Sequence, residues 1–183
     1  GTTGNKDFGA TSGVGSKGYM IVPGHAAGGG APEEKKLVKQ LAKNAYTNLK
    51  SKFPDANVHY QDTDSMFGDT DEGFKKQLAW FKQKEKEGWE ILEVHMDASM
   101  ESGEGTGRGV IAPTGELNPV EAYFAQNYGA FTRGHRDLGA PKRGVGLIEL
   151  GNMSPELQQA SKQNKVSKQQ LDALTAPLET SIQ

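Results

Sequence analysis

The chain has 183 residues, with four histidines and no cysteine, and that inventory limits the chemistry it can do. His25 follows Met20-Ile21-Val22-Pro23-Gly24 and His95 follows Ile91-Leu92-Glu93-Val94, so each closes an apolar run that reads as a strand. His59 and His135 complete the four. Ligand sites in open α/β sheets gather beyond the carboxyl ends of the strands, so imidazoles from two such ends can converge. Thiolates are excluded, so a zinc site here must use His, Asp and Glu. Glu33 and Glu34 lie a few residues past His25, and Gly28-Gly29-Gly30 between them gives the backbone freedom to double back. Two His and one Glu with an open coordination position is a catalytic zinc set, in which bound water reaches a pKa of ~7. The base for that water is expected to be Glu149. It stands among apolar residues and glycine in Val145-Gly146-Leu147-Ile148-Glu149-Leu150, where burial would raise its pKa toward the working range of a general base. Taken singly, each feature has an ordinary explanation: a surface histidine, acids serving a helix dipole, an edge-strand acid facing water. Their combination, in this order, carries the reading.

The elements that must position these residues alternate in type. Tyr19 to Val22 reads as a strand ending in a Pro-Gly turn. From about Glu33 to Lys52, Val38, Leu41, Ala42, Ala45 and Leu49 recur at helical spacing, with Pro32 in the first turn and Pro54 beyond the end. Val58 to Gln61 is a second strand, and Asp62 to Asp71 is acidic and turn-like. A second amphipathic helix carries Phe74, Leu78 and Phe81, and Trp89 to His95 is a third, largely buried strand. After the glycine-rich loop Glu101 to Gly107 come a strand from Arg108 to Ala112, a helix from Pro119 to Phe131, a strand from Val145 to Leu150, and a helix from Ser167 to Ile182 whose last turns Pro177 should weaken. The expected class is α/β: a single domain with a central mixed, mostly parallel sheet flanked by helices. Residues 1–18 form a Gly/Ser-rich arm, and residues 19–183 the catalytic domain.

Composition narrows the function classes. Hydrophobic residues at 34% and charged residues at 24% suit one folded domain. A net charge of −2 argues against nucleic acid as a partner. It also argues against an electrostatic membrane anchor, and no apolar run approaches the ~20 residues of a membrane span. Gly13-Val14-Gly15-Ser16-Lys17-Gly18 fits G-x-G-x-x-G formally, but it precedes a strand where the dinucleotide fingerprint must follow one, so nucleotide binding is rejected.

Five short pieces resemble, in order, the zinc-dependent N-acetylmuramoyl-L-alanine amidases of the Amidase_3 family, which supplies catalytic domains of bacterial autolysins and phage endolysins. They are Ile21-Val22-Pro23-Gly24-His25, Glu34-Lys35, Val94-His95-Met96-Asp97-Ala98, Arg108-Gly109-Val110, and Leu147-Ile148-Glu149-Leu150-Gly151-Asn152-Met153-Ser154. The resemblance covers residue 19 to the C-terminus. It implies zinc held by His25, Glu34 and His95, with Glu149 as catalytic acid/base, and it selects Glu34 while leaving Glu33 as the alternative. The chain departs from the family at Val22, where Asp is usual, at Asp97, where Asn is usual, at Asn152, where Phe is usual, and in a short stretch between His25 and Glu34. None of these departures removes a ligand. The implied substrate is peptidoglycan, cut at the amide between N-acetylmuramic acid and L-alanine, by a monomer acting at the bacterial cell wall after secretion, in the periplasm or by phage delivery. Arg108 and the Gly103–Gly107 loop are candidates for substrate contact. Two other functions are compatible with parts of this pattern: another zinc peptidase acting on peptidoglycan stem peptides, and a non-catalytic wall-binding module.

Overall fold

The computed structural model describes residues 17–24, 32–68, 70–97, 107–131 and 139–183. Five strands form one sheet: β1 (Gly18–Pro23), β2 (Val58–Tyr60), β3 (Trp89–Asp97), β4 (Arg108–Ile111) and β5 (Leu147–Asn152), in the order β2-β1-β3-β5-β4. β1, β2, β3 and β5 run parallel, and β4 is antiparallel to β5 at the edge. The expected mixed, mostly parallel sheet is therefore present. β1 extends the reading made from sequence by one residue at each end, β3 by two at its carboxyl end, and β5 begins two residues later than Val145.

Parallel strands need long crossovers, and helices provide them. α1 (Pro32–Lys52) joins β1 to β2. Its stripe of Leu37, Val38, Leu41, Ala42, Ala45 and Leu49 is buried, Glu33 and Glu34 fall in the first turn, and Lys50 and Lys52 in the last, each sign matching the helix dipole. α2 (Thr63–Phe67) and α3 (Asp71–Lys86) lead from β2 to β3. α4 (Pro119–Tyr128), α5 (Gly139–Lys142), α6 (Pro155–Lys162) and α7 (Lys168–Ile182) complete the helices among the described residues.

Three helices differ from the expectation in instructive ways. The acidic stretch read as a turn contains α2, because the Asp62 carboxylate caps it, accepting from Ser65 N at 3.1 Å and from Ser65 Oγ at 2.7 Å. α6 follows Ser154-Pro155, an N-cap followed by proline at the first helical position, and Ser154 Oγ accepts from Leu157 N at 3.1 Å. α4 stops at Tyr128, short of Phe131, because Gly129 takes φ 98° and ψ 162°, a backbone conformation that leaves the helix and that glycine alone adopts readily.

The sheet separates two cores. On one face Tyr19, Ile21, Leu92, Val94, Met96, Ile148 and Leu150 pack with α1, α4, α6 and α7. On the other, Met20, Val22, Ile91 and Leu147 pack with Leu78 and Phe81 of α3 and Ala140 of α5. The strand alternation assigns each side chain to a face, and this places Glu93, His95 and Glu149 on the α3 side.

Pro177 sits inside α7 without ending it. Proline cannot donate to the carbonyl four residues back, which is Ala173 O. Arg108 Nη2 donates to that carbonyl at 3.0 Å, and Arg108 Nε to Leu150 O at 3.2 Å, so β4 supplies the donor that the helix lacks. The expected weakening of the last turns is offset from outside the helix.

Candidate functional site

The sheet order contains a switch point. From β1 the chain passes through α1 to β2 on one side, then returns through α3 to β3 on the other side of β1. Crevices that bind ligands open beyond the strand ends at such a point. Gly24, at the end of β1, donates its N–H to Val94 O at 2.7 Å. A Cβ on Gly24 would lie 2.5 Å from His95 Cε1 and 2.7 Å from Nδ1 and from Nε2, so only glycine leaves room for the imidazole there. His25 follows Gly24 in the chain but lies outside the described residues, as do His135, Gly28-Gly29-Gly30 and the Glu101–Thr106 part of the glycine-rich loop.

Three of the sequence-derived candidates are described, and they share one neighbourhood. His95 on β3 and Glu149 on β5 are partners in the parallel register, which puts their side chains on the same face of adjacent strands. Glu149 is buried, at 4% exposure. Glu34 comes from the first turn of α1, and its charge also acts on His95. Glu33, one residue earlier, forms an ion pair with Lys36 at 3.3 Å.

A fourth acid, one the sequence reading did not assign to the site, is hydrogen-bonded to the imidazole. Glu93 Oε2 lies 2.6 Å from His95 Nε2. Its other oxygen, Oε1, accepts from Gln77 Nε2 of α3 at 3.2 Å. Glu93 is 3% exposed and Gln77 fully buried. The available signal was an acid two residues before a histidine in a buried strand, since residues i and i+2 share a face. Burial by itself lowers the His95 pKa. The hydrogen bond with Glu93 and the negative charges of Glu93, Glu149 and Glu34 outweigh it, and the imidazole is pushed up to about 9.

Among the described residues, no three His, Asp or Glu side chains stand together as a metal-holding group. The donor chemistry nevertheless suits a divalent ion. One half-buried imidazole faces the charges of three carboxylates, and imidazole with carboxylate is a zinc donor set. Arg108, expected from sequence as a substrate contact, is engaged with Leu150 O and Ala173 O and lies 5.8 Å from the Tyr128 ring.

The arrangement defines a class: an α/β domain whose imidazole and carboxylates gather on one face of adjacent parallel strands beside a switch point. Solved structures similar to it in fold include three N-acetylmuramoyl-L-alanine amidases. That of Clostridium difficile 630 aligns with a TM-score of 0.53 and 19% identity over 91% of this chain and 96% of its own. Ami1 from Mycobacterium smegmatis aligns at 0.54 and 15%, over 91% and 97%, and AmiC2 of Nostoc punctiforme at 0.50 and 15%, over 92% and 97%. At these identities the likeness is one of fold. No protein-family model matches the chain, and no curated protein matches it.

Proposed function

We propose that this protein is a zinc-dependent peptidoglycan amidase, cleaving the amide between N-acetylmuramic acid and the L-alanine of the stem peptide. The observation that carries the reading is the pairing of His95 on β3 with Glu149 on the adjacent parallel strand β5, with the charge of Glu34 reaching the same imidazole. The fold shared with three amidases along nearly their whole length supports it.

In this reading His25, Glu34 and His95 hold the metal. Zinc supplies Lewis acidity when bound, polarising the scissile carbonyl and acidifying water. Glu149 takes a proton from the attacking water and returns it to the departing amine of L-alanine, so one carboxylate serves as base and then as acid. Its burial between apolar strands removes competing water from that transfer. The chain acts as a monomer on peptidoglycan at the bacterial cell wall, reached by secretion, in the periplasm or by phage delivery. No described helix is long and apolar enough to cross a membrane.

The test combines metal analysis of the purified protein with mass spectrometry of digested peptidoglycan. An amidase frees the L-alanine amine and leaves the peptide its full length; a shortened peptide would identify a peptidase instead. Glu149→Ala is expected to retain zinc and to lose about 10²–10⁴-fold in turnover. Normal solubilisation of cell walls by that variant would remove Glu149 from the mechanism.

A further inference from the structure

The buried pair Glu93–Gln77 has no role in the reaction as written above, yet it makes the shortest described contact to the site's imidazole. An acid with 3% exposure in the middle of an α/β core is costly unless its oxygens are bonded. Both are: Oε2 to His95 Nε2 at 2.6 Å, and Oε1 by Gln77 Nε2 at 3.2 Å. An apolar residue at position 93 would match Ile91 below it, which packs in the same core. The carboxylate is thus retained where packing alone would favour hydrocarbon.

We propose that Glu93 is the positioning residue of this site, anchored by Gln77. It holds the imidazole of His95 with the proton on Nε2, so that Nδ1 presents its lone pair to the metal. The inference rests on reading the strand-end site as a zinc site. A neutral imidazole carries one N–H and one lone pair, and the partner of one nitrogen decides the role of the other. A carboxylate can only accept, so Glu93 selects the Nε2–H tautomer. A carboxylate behind a ligating histidine also raises the basicity of the ligand and fixes the ring plane. Gly24 completes the clamp from the opposite element. The ring lies so close to its backbone that a Cβ would collide with three ring atoms. Gln77 fixes the carboxylate in turn, tying the site to α3, a helix that carries none of the proposed ligands. Glu93 and Gln77 would touch neither substrate nor metal, and act through His95.

The experiment measures zinc affinity by competition with a chromophoric chelator, and the His95 tautomer by long-range ¹H–¹⁵N NMR of the zinc-loaded protein, in which a ligating imidazole is neutral, both without substrate. Wild type should show the Nε2–H form. Glu93→Leu keeps an apolar side chain of similar size and removes the acceptor. It should weaken zinc binding about 10–100-fold and give a mixture of tautomers. Should Glu93→Leu fail to fold, as judged by circular dichroism and a cooperative melt, Gln77→Leu decides. It leaves Glu93 in place but unanchored, and a several-fold loss of affinity with partial loss of the Nε2–H form is expected. A folded Glu93→Leu, or failing that Gln77→Leu, with the affinity and tautomer of wild type would overturn the proposal. Wild type that binds no zinc would instead sink the function proposed above. Wild type that binds zinc equally well as the folded variant sinks only the role of Glu93.

Discussion

Gly24→Ala isolates the contact between the end of β1 and the imidazole. The added methyl would sit 2.5 Å from His95 Cε1 and 2.7 Å from both ring nitrogens. Carbon atoms in contact settle at about 3.5–4.0 Å, so the ring or the backbone must give by about 1 Å. The backbone is held by Gly24 N bonding Val94 O at 2.7 Å, so the ring moves. Shifted by that much, Nε2 no longer holds its 2.6 Å bond to Glu93 Oε2. Hydrogen bonds to charged groups contribute about 1.5–3 kcal/mol, and Glu93 would be left buried with an open oxygen. The expected cost is therefore about 2–3 kcal/mol, and for a chain of this size a fall in melting temperature of about 5–10 °C. The assay is a thermal melt of the metal-free protein beside the NMR readout of the His95 tautomer in the zinc-loaded protein. Gly24 needs no positive φ, so alanine brings no backbone strain to confuse the result. A variant with an unchanged melting temperature and an unchanged Nε2–H signal would refute the steric argument.

Glu121 makes the stability depend on pH. Burial and then the Glu90 charge raise its carboxyl against the opposing hydrogen bonds from Asn118 N and Gly146 N, and its pKa reaches about 7 from an ordinary 4.5. A folded pKa above the unfolded one gives stability that is full below about pH 4.5 and lost as pH rises through 7, an effect of at most about 3 kcal/mol. Melts of wild type should fall between pH 5 and 8, and Glu121→Gln should flatten that slope. Arg108 and Pro177 should be coupled: Arg108→Ala leaves Ala173 O to water and costs about 1 kcal/mol, while the same change in a Pro177→Ala background costs less because residue 177 now donates. Urea denaturation of the four proteins measures this, and strict additivity would exclude it. Asn118→Ala removes half of the capping box of α4 and should cost about 1 kcal/mol by the same method.

Much of the frame was legible because it rests on local periodicity. Leu37 to Leu49 on α1 announce a helix with one apolar face, and the apolar runs ending at Pro23 and His95 announce strands, whatever lies around them. What escaped was written in shorter codes. α2 depends on one aspartate cap, and α6 on a serine followed by proline, signals of two residues with no periodic stretch behind them. The glutamates at 33 and 34 are indistinguishable by type. The angle of the helix start decides which one's charge acts on His95 and which one pairs with Lys36. Pro177 read locally predicts a failing helix, since nothing near it in sequence reveals an arginine on β4 bonding to Ala173 O.

The amino-acid order alone determined the class of the fold, the absence of thiol chemistry, and the short list of imidazoles and carboxylates able to act. Only tertiary structure decided which of them meet. His95 and Glu149 lie 54 positions apart and become neighbours because β3 and β5 pair in parallel with those two residues in register. Glu93 acquires a role because α3 crosses the sheet and brings Gln77 to its free oxygen. Side-chain type is fixed by the chain, but hydrogen bonds and Coulomb interactions depend on distance in space, and long-range strand pairing sets that distance.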